Sequence, residues 1–144
     1  MKKYKIGYTA GVYDLFHIGH LNLLKRAKEE CEHLIVAVST DELVLEYKHK
    51  KPIIPFEERK AIIEALKCTD EVVLQENRDK IAAYKKYKFD VMFVGDDWKG
   101  DNLFTETENF LLNHGSCVRY LPYTKNTSSS KLSQIIDKIL EELC

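Results

Sequence analysis

The sequence has no apolar run of the roughly 18 residues that a transmembrane helix needs, so we expect no membrane span. Its first residues, MKKYKIGYTAG, are basic but lead into neither a long apolar region nor a small-residue cleavage site. This pattern predicts a first β-strand rather than a signal peptide. No repeat, low-complexity segment or linker interrupts the chain, so residues 1–144 are expected to form one domain.

Neither sign of charge is in excess, since 22 basic and 23 acidic residues leave a formal net charge of −1. The overall charge therefore indicates no nucleic acid and no membrane surface as a partner. The cysteines are widely spaced and form no C-x-x-C pair: Cys31, Cys68, Cys117 and Cys144. This usage is typical of a reduced, cytoplasmic protein, although zinc held by cysteine together with two histidines stays open.

Short apolar runs alternate with helical patterns along the chain. Strands are predicted at 3–9, 33–39, 71–74, 90–95 and 117–122, and helices at 20–31, 56–68, 77–87, 106–115 and 129–143. This alternation predicts an α/β fold: a single Rossmann-like domain with a five-stranded parallel sheet, in the order 3-2-1-4-5, flanked by helices. Residues 41–55 are expected to form a long irregular segment, and such segments are often functional.

Unusual polar clusters follow four of the five predicted strands: DLFHIGH at 14–20, KHKK at 48–51, GDDW at 95–98 and YTKNTSSS at 123–130. Open α/β sheets bind ligands beyond the carboxyl ends of their strands. The clusters therefore predict a single ligand site at that edge of the sheet.

His17 and His20 lie three residues apart at the start of the first predicted helix, so they can face the same way. A helix N-terminus attracts anions, and Gly19 allows a ligand close to the backbone. We interpret the two imidazoles as donors to phosphate oxygens; a pair satisfied by the backbone and a zinc site are the alternatives. Asp14 is a candidate for a metal ion or a substrate hydroxyl, or else a simple turn residue.

The cluster at 48–51 contributes Lys48 and Lys50, whose charge would neutralise a triphosphate. Arg59 could add a bidentate phosphate contact, although a surface ion pair is the simpler interpretation. Asp97 and Trp98 are candidates for a nucleoside pocket, or for a capped turn beside a core tryptophan. Four hydroxyl residues open the last helix, more than one cap requires, and suggest a phosphate cradle: Thr127, Ser128, Ser129 and Ser130.

The histidine motif, KHKK, FEERK, DEVV, VGDDW and YLPYTKNTSSSK together resemble the small cytidylyltransferases of the nucleotidylyltransferase superfamily, in order and spacing over nearly the whole chain. The resemblance is greatest to those that act on glycerol 3-phosphate. The resemblance implies transfer of CMP from CTP to a small alcohol phosphate, with release of pyrophosphate. It also implies that Mg²⁺ accompanies the triphosphate rather than being held by protein ligands alone, and that the protein is a homodimer.

The resemblance also implies residue roles. His17, His20, Lys48 and Lys50 would be catalytic, and Asp14, Lys50 and Arg59 would bind the acceptor. The nucleotide would contact a larger set of residues: Tyr8, Thr9, Ala10, Gly19, Asp97, Trp98, Thr127, Ser128, Ser129 and Ser130.

The chain departs from the family pattern at Tyr123 and Thr127, where an arginine and an isoleucine are usual, and at Lys67, which replaces another arginine. An adenylyltransferase that uses ATP and a nucleotide-binding module without turnover therefore remain alternatives.

Overall fold

The computed structural model describes residues 2–95, 102–122 and 129–143, with the backbone alone at 102, 103, 129 and 130. The strands are β1 (Tyr4–Gly11), β2 (Cys31–Ser39), β3 (Glu71–Gln75), β4 (Val91–Gly95) and β5 (Cys117–Leu121). The helices are α1 (Ile18–Glu30), α2 (Asp41–Lys48), α3 (Phe56–Glu64), α4 (Lys80–Tyr87), α5 (Asn102–Asn113) and α6 (Ser129–Leu143).

All five strands form one parallel sheet in the order β3-β2-β1-β4-β5, which confirms the predicted fold. The central strand β1 pairs with β2 along most of its length, from Tyr4 to Gly11. Its ladder with β4 has only the pairs Gly7–Val91 and Tyr8–Met92. The order of strands reverses at β1, so a crevice is expected beyond the carboxyl ends of β1 and β4.

Both faces of the sheet are covered by helices, as the apolar run in β2 predicted. On one face, Leu24 and Ala27 of α1 and Ile63 of α3 are fully buried against the sheet. On the other, Phe89 and Leu111 pack against Tyr8 and Met92. These two layers form the hydrophobic core on which the crevice rests.

The prediction of an irregular segment over 41–55 was wrong for its first half, because residues Asp41–Lys48 form α2. Thr40 caps this helix, since its hydroxyl oxygen accepts a hydrogen bond from the Leu43 N–H at 3.2 Å. Two acidic residues in the first turn complement the helix dipole. His49, with a left-handed φ of 63°, ends the helix, so only 49–55 remain irregular.

No helix within the described ranges is long and apolar enough to cross a membrane. The cysteines for which the structure gives a state, Cys31, Cys68 and Cys117, are free thiols.

Candidate active site

A cavity of about 1010 Å³ opens at the carboxyl ends of the strands, where the strand order reverses. Its walls come from β1, the start of α1, the end of α2, the β3–α4 connection, β4 and α6. Several residues singled out from the sequence line it together: Thr9, Ala10, Asp14, His17, Gly19, His20, Lys48 and Lys50. The prediction that separate polar clusters meet at this edge is therefore confirmed for those after β1 and β2.

His17 and His20 are locked to each other by the start of α1. His17 is the N-cap, and its Nδ1 accepts a hydrogen bond from the Gly19 N–H at 3.0 Å. The His17 backbone N–H donates in turn to Nδ1 of His20 at 3.2 Å. This reciprocal arrangement is a capping box built from histidines, and it sets the two ring centroids 4.1 Å apart.

The capping bonds determine where each imidazole carries its proton. A neutral ring that accepts at Nδ1 bears its hydrogen on Nε2. Burial lowers the pKa of His17, and burial together with the charge of His17 lowers the pKa of His20 to about 4, against a smaller opposing effect of Asp14. Both rings are therefore neutral Nε2–H donors at physiological pH, on the wall of the cavity.

Asp14 makes two hydrogen bonds that the sequence did not predict. Its two carboxylate oxygens accept hydrogen bonds from the backbone N–H groups of Ile53 and Ile54, at 2.8 and 2.9 Å. These partners are about forty residues away, so Asp14 is not a local turn residue. It fastens the segment after α2 to the histidine loop and thereby places the lysines of that segment at the cavity.

Lys48 and Lys50 both line the cavity but differ in their surroundings. Burial lowers the pKa of Lys48; Lys50 and Arg78 add to this shift, and Asp14 opposes it. The Lys50 Nζ donates to the Ser133 hydroxyl and to the Asp137 carboxylate of α6, each at 2.9 Å. Lys50 thus ties α6 to the cavity wall.

The expected phosphate contact of Arg59 is not supported by its position, which is a correction to the sequence-based prediction. Its side chain is fully buried, and the guanidinium donates to the carbonyl oxygens of Ile54, Val12 and Ser39. A fourth bond of 2.6 Å joins it to the Asp41 carboxylate. Arg59 therefore positions the segments around the cavity and does not face into it.

Tyr8 is a second correction. The side chain is 2% exposed, and its ring stacks on Tyr87 and Phe89 in the core. Alternation along β1 explains this, because successive side chains point to opposite faces of a sheet. The next residue, Thr9, does line the cavity, and its hydroxyl donates to the Phe93 carbonyl oxygen at 2.9 Å.

Several predicted residues lie outside the described part of the chain: Asp97, Trp98, Tyr123, Thr127 and Ser128. The backbone of Ser129 and Ser130 opens α6, as expected for the Ser/Thr-rich segment. The proposed roles of these residues stay predictions.

The sequence analysis missed a cluster of four cavity-lining residues at the β3 side: Tyr47, Gln75, Arg78 and Lys80. Lys80 is largely enclosed; burial, with a smaller effect of Arg78, lowers its pKa to about 8. Its Nζ donates to the Gln75 side-chain oxygen at 2.8 Å, and Arg78 stacks on the Tyr47 ring at 4.5 Å.

Within the described ranges neither Arg78 nor Lys80 forms an ion pair with a carboxylate. Two cations that share a cavity wall in this way attract an anion of at least one charge. The signal in the sequence was QENRDK at 75–80, the polar cluster that follows the third strand just as the others follow theirs.

The described residues contain no group of three or more His, Cys, Asp or Glu side chains arranged to hold a metal ion. Asp14 lines the cavity with a carboxylate whose two oxygens accept the backbone N–H groups of Ile53 and Ile54. This donor set suits a cation that arrives with phosphate oxygens and water as most of its ligands.

A family model described as cytidylyltransferase-like matches residues 8–135. An FAD synthase from Thermococcus sibiricus is 37% identical over 145 residues, which is 99% of this chain and 98% of the relative. A glycerol-3-phosphate cytidylyltransferase from Bacillus subtilis is 38% identical over 130 residues, covering 89% of this chain and 94% of the relative.

Solved structures with the same fold include a lipopolysaccharide core biosynthesis protein from Thermoplasma volcanium, with a TM-score of 0.69 and 27% identity. That match covers 86% of this chain and 99% of the other. A pantoate-β-alanine ligase from Francisella tularensis, at 16% identity and a TM-score of 0.66, covers 98% of this chain and 72% of its own and shows the fold alone.

Proposed function

The chain belongs to the cytidylyltransferase-like family and is a nucleotidyltransferase, and we propose that it transfers CMP from CTP to a small alcohol phosphate. Glycerol 3-phosphate or a similar polyol phosphate is the proposed acceptor, and the products are a CDP-alcohol and pyrophosphate. The proposal includes a homodimer that works in the cytoplasm. Support for the nucleotide comes from the glycerol-3-phosphate cytidylyltransferases, which are similar over most of the chain.

The observation that carries the proposal is the pair of neutral imidazoles at the start of α1. Both capping bonds use Nδ1, so each ring presents an Nε2–H donor without a positive charge to be solvated. Donors fixed in advance and placed where negative charge accumulates are the main source of catalysis in phosphoryl transfer. His17 and His20 would hold the phosphates of CTP while charge moves onto the departing pyrophosphate.

The cationic wall on the β3 side supports an acceptor that is itself a phosphate. An oxygen of the acceptor phosphate would attack the α-phosphorus of CTP, forming a new P–O–P bond, while the bond to the β-phosphate breaks. Such an oxygen is already deprotonated at neutral pH, so no general base is required. Lys48, Arg78 and Lys80 would bind and orient this acceptor, with Gln75 fixing the Lys80 ammonium.

Mg²⁺ belongs to the proposal as a companion of the triphosphate, and when bound it would neutralise charge on the phosphate oxygens. Asp14 is a cavity-lining carboxylate that could complete its coordination, directly or through water. The histidines would still contact the phosphates of CTP, and Lys48, Arg78 and Lys80 the acceptor phosphate, whether or not the metal is bound.

A second candidate is an adenylyltransferase that joins AMP to a phosphate-bearing acceptor. It is favoured by the FAD synthase relative, which aligns with 99% of this chain at 37% identity. Such an enzyme would use the same histidines and cations, because both reactions attack an α-phosphorus. The two candidates differ in the base, and therefore in the nucleoside pocket.

The test is a pyrophosphate-release assay with purified protein, Mg²⁺, and either CTP or ATP, against a panel of acceptors. The panel contains glycerol 3-phosphate, other polyol phosphates, phosphocholine and FMN, and products are identified by mass. A CDP-alcohol formed only with CTP is the expected result. An FAD-type product formed with ATP would favour the second candidate over the first. If no pair of substrates releases pyrophosphate, the protein would be a nucleotide-binding module without turnover.

A further inference from the structure

Lys50 is joined to helix α6 by two hydrogen bonds of equal length. Its Nζ donates to the Ser133 hydroxyl and to the Asp137 carboxylate, each at 2.9 Å. The two acceptors are four residues apart, so they lie one above the other on the same face of α6. That face therefore holds an ammonium group from a lysine that lies 83 and 87 residues earlier in the sequence.

The ion pair in this arrangement contributes little to the stability of the fold. The Lys50 and Asp137 side chains are 52% and 49% exposed, and the attraction between charges at such exposure is largely screened by solvent. Ser133 is different, because it is 7% exposed and its buried hydroxyl needs a polar partner, which Lys50 provides. What the contacts determine is the position of the ammonium group.

The position of this ammonium group matters because Lys50 lies on the wall of the cavity. A lysine ammonium has three N–H donors, and α6 uses two of them, so one remains for a ligand. Ser133 also lines the cavity, whereas Asp137, one turn further along α6, does not. The carboxylate therefore holds Lys50 without adding its own negative charge to the cavity wall.

Without the contacts to α6, two effects would favour other positions of the Lys50 side chain. The side chain is long and flexible, so fixing it on a ligand costs conformational entropy. Burial lowers the pKa of Lys48 and the nearby charge of Lys50 adds to that shift, which means that the two ammonium groups repel each other. Asp137 offsets this repulsion, and the two hydrogen bonds restrict the side chain before a ligand binds.

We propose that Ser133 and Asp137 are positioning residues for the nucleotide, which hold Lys50 so that its third N–H meets a phosphate oxygen of the bound triphosphate. The inference rests on the proposed function only in that a nucleoside triphosphate occupies the cavity, and it depends neither on the base nor on the acceptor. The same contacts fix α6, whose first residues, Ser129 and Ser130, belong to the expected phosphate cradle. Lys50 and the start of α6 are thereby kept at a constant separation around one triphosphate.

Calorimetric titration of the protein with CTP and Mg²⁺, without an acceptor, measures the contribution of Asp137; ATP is titrated in parallel. Asp137→Ala removes the carboxylate and should weaken nucleotide binding about three- to tenfold, the usual effect of leaving one lysine side chain to be ordered on binding. Asp137→Asn keeps an acceptor oxygen and should recover part of this loss. The matched control is Glu141→Ala, which removes an exposed carboxylate from the same helix and should leave nucleotide binding unchanged.

A second substitution tests whether Asp137 acts through Lys50. In the Lys50→Met background, Asp137→Ala should have no further effect on the dissociation constant of the nucleotide, because the group that it positions is absent. A purely structural role of Asp137 predicts equal losses in the two backgrounds, and that result would overturn the proposal. Ser133→Ala should weaken nucleotide binding in the same direction as Asp137→Ala, and urea unfolding verifies that all variants fold.

Tripolyphosphate, which carries no base, localises the effect to the phosphates. Its affinity in the presence of Mg²⁺ should fall in Asp137→Ala by the same factor as that of the nucleotide. A loss confined to the nucleotide would assign α6 to the nucleoside instead, and tighter binding in Asp137→Ala would mean that Asp137 competes with the ligand for Lys50; both results contradict the proposal. Unchanged binding in that variant would overturn this proposal alone, whereas a protein that binds neither CTP nor ATP would overturn the proposed function as well.

Discussion

Replacing His17 by asparagine separates the two roles that one ring performs. An asparagine oxygen occupies nearly the position of the histidine Nδ1, so it can still accept the bond from the Gly19 N–H. Nothing in asparagine reaches the position of Nε2. The variant therefore keeps the cap of α1 and loses the donor that faces the phosphates.

The expected magnitudes follow from these two contacts. Asparagine is among the best N-cap residues, so His17→Asn should leave the free energy of unfolding within a few tenths of a kcal/mol, whereas His17→Ala should lower it by about 1 kcal/mol. Loss of a fixed donor to a developing charge costs about 10²–10³ in kcat, or roughly 3–4 kcal/mol in the barrier. Both variants should show this loss.

Urea unfolding and steady-state pyrophosphate release measure the two quantities on the same samples. His17→Gln is the complementary variant, because its amide nitrogen reaches the position of Nε2 but its oxygen does not cap the helix. It should recover part of the turnover while being less stable than His17→Asn. Wild-type turnover in His17→Asn would refute the donor role, and equal stability of the asparagine and alanine variants would refute the capping role.

Three further predictions concern other parts of the site. The pKa of His20 is about 4 in the fold against 6.5 for the free side chain, so the unfolded chain binds more protons between these values. Stability should fall by about 2–3 kcal/mol from pH 6.5 to 4, and His20→Asn should flatten this dependence in urea titrations. Asp41→Ala removes the carboxylate that pairs with the buried Arg59 guanidinium, and it should lower the free energy of unfolding by about 3 kcal/mol. The control Glu42→Ala, in the same helical turn, should change the free energy of unfolding little. Equal effects of the two variants would contradict the buried pair. The pKa of Lys80 is lowered to about 8, so the KM for the acceptor phosphate should rise above that pH. In Lys80→Arg, which stays charged, the KM should remain low at the same pH. A KM that does not depend on pH in the wild type would contradict a role of Lys80 in binding the acceptor.

The members of the sheet and the location of the site could be predicted because they depend on patterns that extend over many residues. Nearly continuous apolar runs mark strands that are buried on both faces, and ligand sites in such folds lie at strand ends. Helix α2 was missed because its cap, Thr40, precedes an eight-residue segment whose lysine-rich end suggested a loop. Its acidic first turn after a threonine was the usable signal.

The roles of individual side chains were less accessible, because burial is a property of the assembled fold. Arginine is a residue type that commonly binds phosphate, so the sequence favoured that role for Arg59. In the fold, its guanidinium donates instead to three carbonyl oxygens from separate segments and to Asp41. The hydrogen bonds of Asp14 with the backbone of Ile53 and Ile54 likewise join residues that are far apart in the sequence, so they depend on the assembled fold. For His17 and His20, the spacing of three predicted a shared direction, but the use of Nδ1 for capping is visible only in three dimensions.

The short ladder between β1 and β4 has a mechanical consequence. The sheet consists of a three-stranded part, β3-β2-β1, and a two-stranded part, β4-β5. The two parts are joined by two register pairs and by the hydrogen bond from the Thr9 hydroxyl to the Phe93 carbonyl oxygen. Asp90 adds two hydrogen bonds with the backbone of Ile6, one through its N–H and one through its carboxylate. A substrate that fills the cavity would contact β1 on one side and β4 on the other, and so would bridge the two parts of the sheet. Backbone amides at the carboxyl end of β4 should therefore exchange with solvent more slowly when a substrate is bound. Their hydrogen-exchange rates would then report whether the cavity is occupied.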